Sequence, residues 1–425
     1  MKFELLPDKV ARVLSDAGRI ADEIGYNIYV VGGFVRDLII GVENLDIDLV
    51  VEGDGICFAK KFSEKYSAKL ETYERFRTAL VTMENGLSID IVTARKEKYP
   101  HPAALPEVSE GTVRDDLFRR DFTINSIAIK LNSNDWGKVI DFFEGEKDLS
   151  KGIIRILHDL SFIDDPTRII RAVRFEARYG FHMEEKTESL AVKAIESGIF
   201  DALSRERIGF EFDILLREKN FAEILKRMLN LGILEKIYPE IDLTDVLMDI
   251  LASLDKKISL LQKNLKFNEN IDKILLYILI LHYNMNSEKA CSSASRMRLN
   301  KSFKHEILSF INIRDNSLPM LIGKGSVSNY DIYIAFKEIS TEVLVALYLI
   351  EDNHIFHERI LKYINCLRSI KPCITGKDLL KAGVKPGPEF KEILQSILIQ
   401  KVNGTINTIE EELDYVKKTR ISSES

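Results

Sequence analysis

Two rhythms of apolar and polar positions divide this chain. Up to about Gly145 the apolar residues gather in short β-type runs: Asn27–Val31, Ile47–Val51, Ala79–Met83, Leu87–Val92, Ile124–Leu131 and Val139–Phe142. Turn-forming pieces separate them: Gly32-Gly33, the acidic–glycine cluster Glu52-Gly53-Asp54-Gly55, and Asn85-Gly86. Asn-Gly between two apolar runs predicts a hairpin, since both residues tolerate the positive φ of a tight turn. Helical spacing over Pro7–Gly25 and Gly55–Tyr66 is interleaved with these strands. From Asp164 onward apolar residues recur three and four apart, in Thr167–Arg178, Glu184–Ser197, Glu206–Arg217, Phe221–Leu231, Asp272–Tyr283 and Glu342–Glu351. That spacing predicts roughly 260 mostly helical residues. Lys371–Pro388 is richer in Gly and Pro and interrupts the pattern, and Ile421–Ser425 reads as a frayed end. The fold class is therefore α+β, a small mixed head followed by helices.

Composition narrows the class. A chain of 425 residues, at roughly 150 per domain, holds two to three domains. Its 45% apolar and 30% charged residues exclude a disordered chain, a collagen and a disulfide mini-protein. No apolar stretch reaches the roughly 18 residues of a spanning helix. Leu275–Leu281 is shorter and reads as a core helix. No long apolar run follows Met1-Lys2-Phe3-Glu4, so no secretory signal is expected. Cys57, Cys291, Cys366 and Cys373 are scattered without zinc or disulfide spacing, which fits a reducing, cytoplasmic setting. A net charge of −6 gives no global bias toward nucleic acid, yet a local basic face is enough for phosphate contacts.

The chemistry concentrates in Tyr29–Val51, YVVGGFVRDLIIGVENLDIDLVV. A strand runs into Gly32-Gly33, a helix carries Arg36 and Asp37, Gly41 ends it, and a second strand brings Asp46-Ile47-Asp48. Residues i and i+2 of a strand share a face, so Asp46 and Asp48 project together. Two adjacent carboxylates repel unless a cation lies between them, and hard oxygen donors favour Mg²⁺. Such a pair suits two-metal phosphoryl displacement, and glycines let backbone N–H groups approach a triphosphate. An isolated D-x-D is ordinarily a solvated surface pair; its place in one strand–loop–helix–strand unit gives it meaning. Asp90, on the strand Ser88–Val92, is a candidate third carboxylate.

At these residues the chain resembles the class II tRNA nucleotidyltransferases (CCA-adding enzymes) and the bacterial poly(A) polymerases. The string Arg119-Arg120-Asp121-Phe122-Thr123-Ile124-Asn125 is similar to a signature of that family. The resemblance implies that Arg120, Asp121 and Asn125 bind the nucleotide, with Arg120 and Asp121 at its ribose and phosphates. Asp141–Gly145 with Asp148-Leu149 resembles the linker between head and neck, and Asp164-Asp165-Pro166-Thr167-Arg168 resembles an E-D-x-x-R element, with Asp164 at the Glu position. In the family the last Asp–Arg pair reads the base, which falls to Asp165 and Arg168. Arg205–Ile208 with Glu211 resembles a bracing E-R-I-x-x-E motif, and Thr375–Leu380 with Gly383 and Pro386–Pro388 a tail motif in which Lys377 would meet RNA phosphate.

The resemblance implies a polymerase-β-like nucleotidyltransferase head with a mixed sheet at 1–145, a base-reading neck at 146–217, a helical body at 218–370 and a tRNA-binding tail at 371–425. The expected activity is template-independent addition of CMP and AMP, from CTP and ATP, to the 3′ end of tRNA. Asp46 and Asp48 would hold Mg²⁺, with Gly32, Gly33 and Arg36 around the phosphates. A CC-adding, A-adding or poly(A)-adding relative is the alternative, and a non-catalytic RNA-binding protein on the same fold is the rival from another class. His158-Asp159, the pair His354 and His357, and Gly323-Lys324-Gly325-Ser326 lack the partners that a metal or Walker site needs.

Overall fold

The computed structural model describes residues 6–265 and 270–423. The chain divides into two compact units, Met1–Ile237 and Tyr238–Ser425. The first unit opens with α1 (Asp8–Ile24), whose buried Val10, Val13, Leu14, Ala17 and Ala21 make one apolar stripe. Gly25 closes it in the left-handed conformation, φ 74°. Next come β1 (Asn27–Val31), α2 (Gly33–Ile40), β2 (Ile47–Glu52) and α3 (Gly55–Tyr66), capped by Asp54, which accepts from Ile56 N and Cys57 N. Then follow β3 (Lys69–Tyr73), β4 (Thr78–Thr82), β5 (Ser88–Thr93), β6 (Arg95–Lys98), β7 (Glu107–Glu110), α4 (Val113–Phe118), β8 (Ile127–Lys130) and β9 (Val139–Asp141).

Seven strands form one mixed sheet, in the order β3-β4-β5-β2-β1-β8-β9. The β2–β5 pair is parallel, and its neighbours are antiparallel. The predicted Asn85-Gly86 turn joins β4 to β5, with Gly86 at φ 84°. Of the expected strand Ile124–Leu131, only Ile127–Lys130 is strand, because Thr123–Asn125 forms a 3₁₀ turn. On one face Tyr29, Val31, Val50, Val113, Leu117 and Ala128 make a buried cluster between the sheet and α4. Alternation along β2 puts Asp48 on that same face. Ile47, Leu49 and Val51 point to the other face and are fully buried.

The rest of the first unit is mainly helical: α5 (Gly145–Lys151), α6 (Ser161–Asp164), α7 (Thr167–Tyr179), α8 (Glu185–Glu196), α9 (Arg205–Leu216), α10 (Phe221–Asn230) and α11 (Ile233–Ile237). A small parallel pair, Ile153–Ile154 with His182–Met183, ties the start of this region together. The expected boundary at residue 217 falls inside this unit.

The second unit is helical. The apolar run Leu275–Leu281 is buried throughout, inside the helix Lys273–Leu281. Ile374, Leu379, Val384, Ile393, Ile397 and Val416 form a core near its end. The final helix, Ile409–Ser423, carries through the segment expected to fray; residues 424–425 and Met1–Glu4 lie outside the described residues. Among the described residues no helix is long and apolar enough to cross a membrane.

Candidate active site

The turn between β1 and α2 brings the chain back beside the start of β2. Gly32 sits at φ 73°, and a Cβ there would lie 2.7 Å from Arg120 Nη1 and 3.3 Å from Asp48 Oδ2. Positive φ and this close approach both demand glycine. Asp46 stands just before β2, exposed, its N–H donating to Asn44 Oδ1 at 2.8 Å. Asp48 is opposite Val31 on one side and in register with Asp90 on the other. Burial pushes the Asp48 carboxyl up to about 6, Arg120 opposes that, and Asp46, Asp90 and Asp116 add to it. Burial and Asp46 raise Asp90 as well. These carboxylates therefore crowd one another's charge where the interior strands β2 and β5 begin.

The segment after α4 supplies a cationic wall. Asp116, fully buried, accepts from Arg119 Nε and Nη2 through one oxygen and from Arg120 Nη2 at 3.0 Å through the other. One hidden carboxylate thus aims two guanidiniums. Asp121 is also buried. It accepts from Asn125 Nδ2 at 2.8 Å and from Arg171 Nε and Nη2 at 2.9 and 2.7 Å. Despite the opposing effect of burial, Arg171 and Asn125 hold its carboxyl down to about 2. Asn125 Oδ1 in turn accepts from Arg36 Nη1 at 2.6 Å, and Arg36 pairs with Asp37. Asn44 and Tyr179 donate to the same Asp37.

Arg36 is held within this network. Its side chain is 6% exposed, hydrogen-bonded to Asp37 and Asn125, and packed over Phe175 and Tyr179 at 5.1 and 4.8 Å. It borders the cavity, with its charge matched by Asp37.

Helices α7 and α9 complete the enclosure. Arg168 donates to Ser161 Oγ and to the Arg119 carbonyl, at 2.6 and 2.7 Å. Asp165 Oδ1 accepts from Thr167 N, Thr167 Oγ1 and Arg207 Nη2. Arg207 and Glu211, the charged ends of the α9 motif, thus face α7: Glu211 stands 4.0 Å from Arg171 and 3.5 Å from Arg174.

These elements enclose a cavity of about 620 Å³. It is lined by Gly32, Gly33, Arg36, Asp46, Asp48, Arg120, Asp121, Asn125, Asp165 and Arg168 together. Lys377 belongs to the second unit. It is exposed on the six-residue helix Gly376–Lys381, whose first turn is capped by Asp378 through Thr375 N and Oγ1. A carboxylate thus already stands at the N-terminus where an RNA phosphate was expected. Asp116, Arg171 and Arg174 went unread in the sequence, whereas Arg207 and Glu211 stand where the bracing motif was expected. The arginine spacing along α7 was the available signal; the partners lie far away along the chain.

Asp46 and Asp48 fit a divalent cation: both are hard oxygen donors, and a positive charge would offset the burial, and with it the neighbouring carboxylates, that raise Asp48. Among the described residues no three His, Cys, Asp or Glu side chains converge as a metal-ligand group; Asp90 stands in register with Asp48.

Comparison with known proteins bears on the same segments. The poly A polymerase head domain matches residues 28–155, the probable RNA and SrmB-binding site of polymerase A matches 180–244, and a putative tRNA nucleotidyltransferase domain 2 matches 265–416. The A-adding tRNA nucleotidyltransferase of Geobacter sulfurreducens is 34% identical over 96% of this chain, and that of Aquifex aeolicus is 36% identical over 88%. The chain spans about half the length of these two, 47% and 45%. The A-adding tRNA nucleotidyltransferase of Halalkalibacterium halodurans is 30% identical and covered over 92% of its length, against 96% of this chain. Among solved structures, an apo CCA-adding enzyme superposes with a TM-score of 0.83 at 35% identity, covering 98% of this chain and 97% of its own. The Thermotoga maritima CCA-adding enzyme complexed with tRNA gives 0.80 at 32%, with 98% and 97% covered. A CCA-adding enzyme in complex with CTP gives 0.81 at 33%, with 99% and 96% covered. With a sheet that offers paired aspartates to an arginine-rich wall and relatives matched along nearly its whole length, this chain belongs to the family of class II tRNA nucleotidyltransferases and poly(A) polymerases.

Proposed function

We propose that this chain adds nucleoside monophosphates, from CTP and ATP, to the 3′ end of tRNA without a template and releases pyrophosphate. The observation that carries the reading is the pairing, in one cavity, of Asp46 and Asp48 with the glycine turn and the Arg120–Asp121 wall. The nucleotide would enter with its triphosphate at the Gly32-Gly33 turn and its base toward Asp165 and Arg168. Asp165 keeps one carboxylate oxygen on Arg207 and Thr167, which fixes how its other oxygen is presented. Arg120, aimed by Asp116, lies against the glycine turn and offers charge to the phosphates there. Mg²⁺ held by Asp46 and Asp48 would supply the positive charge that favours an ionised attacking hydroxyl and a leaving pyrophosphate. A cytoplasmic setting belongs to the same reading; the four cysteines are free thiols.

Full CCA addition is the first form of this reading. The second, addition of the terminal A alone, is favoured by three relatives with A-adding names at 30–36% identity, while structures of CCA-adding enzymes at 32–35% identity favour the first. The test uses three tRNA transcripts, ending at the discriminator base, after one C and after two, each incubated with labelled CTP or ATP. CCA addition extends all three. An A-adding enzyme extends only the third, with ATP. No extension of any transcript overturns the proposal.

A further inference from the structure

In the second unit a thiol, an ammonium and a carboxylate meet at the start of the tail segment. Glu412, on the helix Ile409–Ser423, is fully buried. Its oxygens accept from Cys373 N at 3.1 and 2.9 Å, and one of them accepts from Ile374 N at 2.9 Å. The other accepts from Lys401 Nζ, near the end of the helix Pro388–Val402. Lys401 is 13% exposed and donates as well to Cys373 Sγ, at 2.8 Å. One hidden carboxylate thus fixes both the backbone of Cys373 and the amine of Lys401. The meeting of nitrogen and sulfur follows from that clasp, and does not depend on two free side chains finding each other. Cys373 itself is exposed, so small solutes reach it.

Exposure alone does not single out this cysteine. Cys291 and Cys366 are exposed too, but among the described residues neither sulfur takes a hydrogen bond. A thiol attacks as its anion, and an ammonium that donates to the sulfur stabilises that anion. Burial acts to lower the Lys401 pKa, yet its bonds to Cys373 and Glu412 raise it, so the amine rests as ammonium. Oxidation of the sulfur removes one of those holds, because a sulfenic acid carries no negative charge. The amine is then freer to give up a proton, and Glu412 stands beside it to take one.

We propose that Cys373 is a modification site for hydroperoxides, at which the oxidised sulfur is captured by Lys401 in a covalent S–N link. The Cys373 thiolate attacks one oxygen of hydrogen peroxide: an S–O bond forms and the O–O bond breaks. Sulfur gives two electrons to the peroxide, and the departing hydroxide takes up a proton, leaving a sulfenic acid and water. Lys401 then passes one proton to Glu412, and its Nζ attacks the sulfur. The S–O bond breaks, and the hydroxyl leaves as water with a second amine proton, so this step needs no further oxidant. Two molecules of a small thiol reverse the link, restoring thiol and amine and leaving as their disulfide. The link ties residue 373 to the helix Pro388–Val402 and takes the ammonium away from Glu412. It stands apart from the nucleotidyltransferase reading.

The test is mass spectrometry of the whole chain before and after a slight excess of hydrogen peroxide. The captured protein is lighter by two hydrogens, and its digest contains a peptide that joins the Cys373 and Lys401 segments. Dithiothreitol should restore the starting mass and abolish the joined peptide. Lys401→Arg keeps a positive charge beside Glu412 but removes the amine. In that variant the joined peptide should fall to background, and Cys373 should advance to the sulfinic acid, heavier by two oxygens. Cys373→Ser should show neither product. Thermal melting checks that the variants are folded, and the wild-type measurement decides the matter whatever becomes of them. A sulfinic acid at Cys373 of the wild type with Lys401 unlinked overturns the proposal. So does a disulfide from Cys373 to another cysteine, which has the same mass change but a different joined peptide. Oxidation of Cys291 or Cys366 with Cys373 left untouched overturns it as well.

Discussion

At the scale of single residues, the site is a set of charges whose neighbours determine what each can do. Among the described residues no cation is hydrogen-bonded to Asp46 or Asp48, although Arg120 acts on Asp48 by charge, and the pair suits a divalent ion. Replacing either by Ala should remove nucleotide addition, a loss on the order of a thousandfold or more if the charge stabilisation at the phosphoryl transition state depends on it, as such terms commonly do. Filter binding should show tRNA affinity little changed. Near-normal turnover of either variant in Mg²⁺ would contradict the assignment. Asp121 is the opposite case. Its carboxyl, held at about 2 against an ordinary 3.8, is more acidic folded than unfolded. Its contribution is therefore full above about pH 4 and disappears as pH falls through about 2, and amounts to on the order of 2 kcal/mol. Asp121→Asn should lower stability to urea by at least that much at pH 7, because Arg171 also loses its partner. The gap between variant and parent should narrow at pH 3. A gap constant from pH 3 to 7 would show that the charge of Asp121 is not what matters.

At the scale of elements, strands that are buried along most of their length were legible, and polar ones were not. The runs Asn27–Val31 and Ile47–Val51 emerge nearly as read, since their cores are β-branched and apolar. Strand β3, KLETY, has no buried residue, and the β6–β7 hairpin pairs RKEK with EVSE, so no apolar alternation marked either. The helices of the neck were legible from their apolar spacing, while the pairings that turn α7 into a site wall were not. Arg171 meets Asp121 from 50 residues away and Arg207 meets Asp165 from 42, and nothing local to either residue announces the other. The paired Asp46 and Asp48 were readable because strand alternation is a local rule. The contacts of Arg36 were not, because they involve Asn125 and Tyr179. Helix α7 also carries the expectation for base choice. Arg168→Ala should lower addition of C and A and relax discrimination against U and G, by about 1–3 kcal/mol per lost charged hydrogen bond. The readout is kcat/KM for CTP over UTP and for ATP over GTP. Because Arg168 also holds Ser161 and the Arg119 carbonyl, equal loss for all four nucleotides would make it a structural residue.

At the scale of the whole molecule, a chain of net charge −6 is proposed to grip a polyanion. It can do so only through local basic faces, so tRNA affinity should fall steeply with salt, with a log–log slope of several units for several phosphate contacts. Lys377→Glu should weaken all tRNAs alike and reduce that slope by about one. Titration of several tRNAs between low and physiological salt measures both. Binding indifferent to salt would rule out a phosphate grip, and a loss confined to one tRNA would point to base readout instead.

The sheet order has a further consequence, for the time the chain takes to become a working protein. Central strand β1 pairs with β2 on one side and β8 on the other, and Ile28 bonds to Asn132 across 104 residues. The Tyr179–Asp37 hydrogen bond spans 142. Contacts so distant in sequence close slowly, and during synthesis they cannot close until the later partner exists. At about 5–20 residues per second, the ribosome needs on the order of ten seconds to go from Asp48 to Tyr179. For that interval the nascent chain carries Asp46 and Asp48 without the α7 arginines that line the same cavity. On the proposed reading, competence arrives with the neck and not with the head that carries the carboxylates.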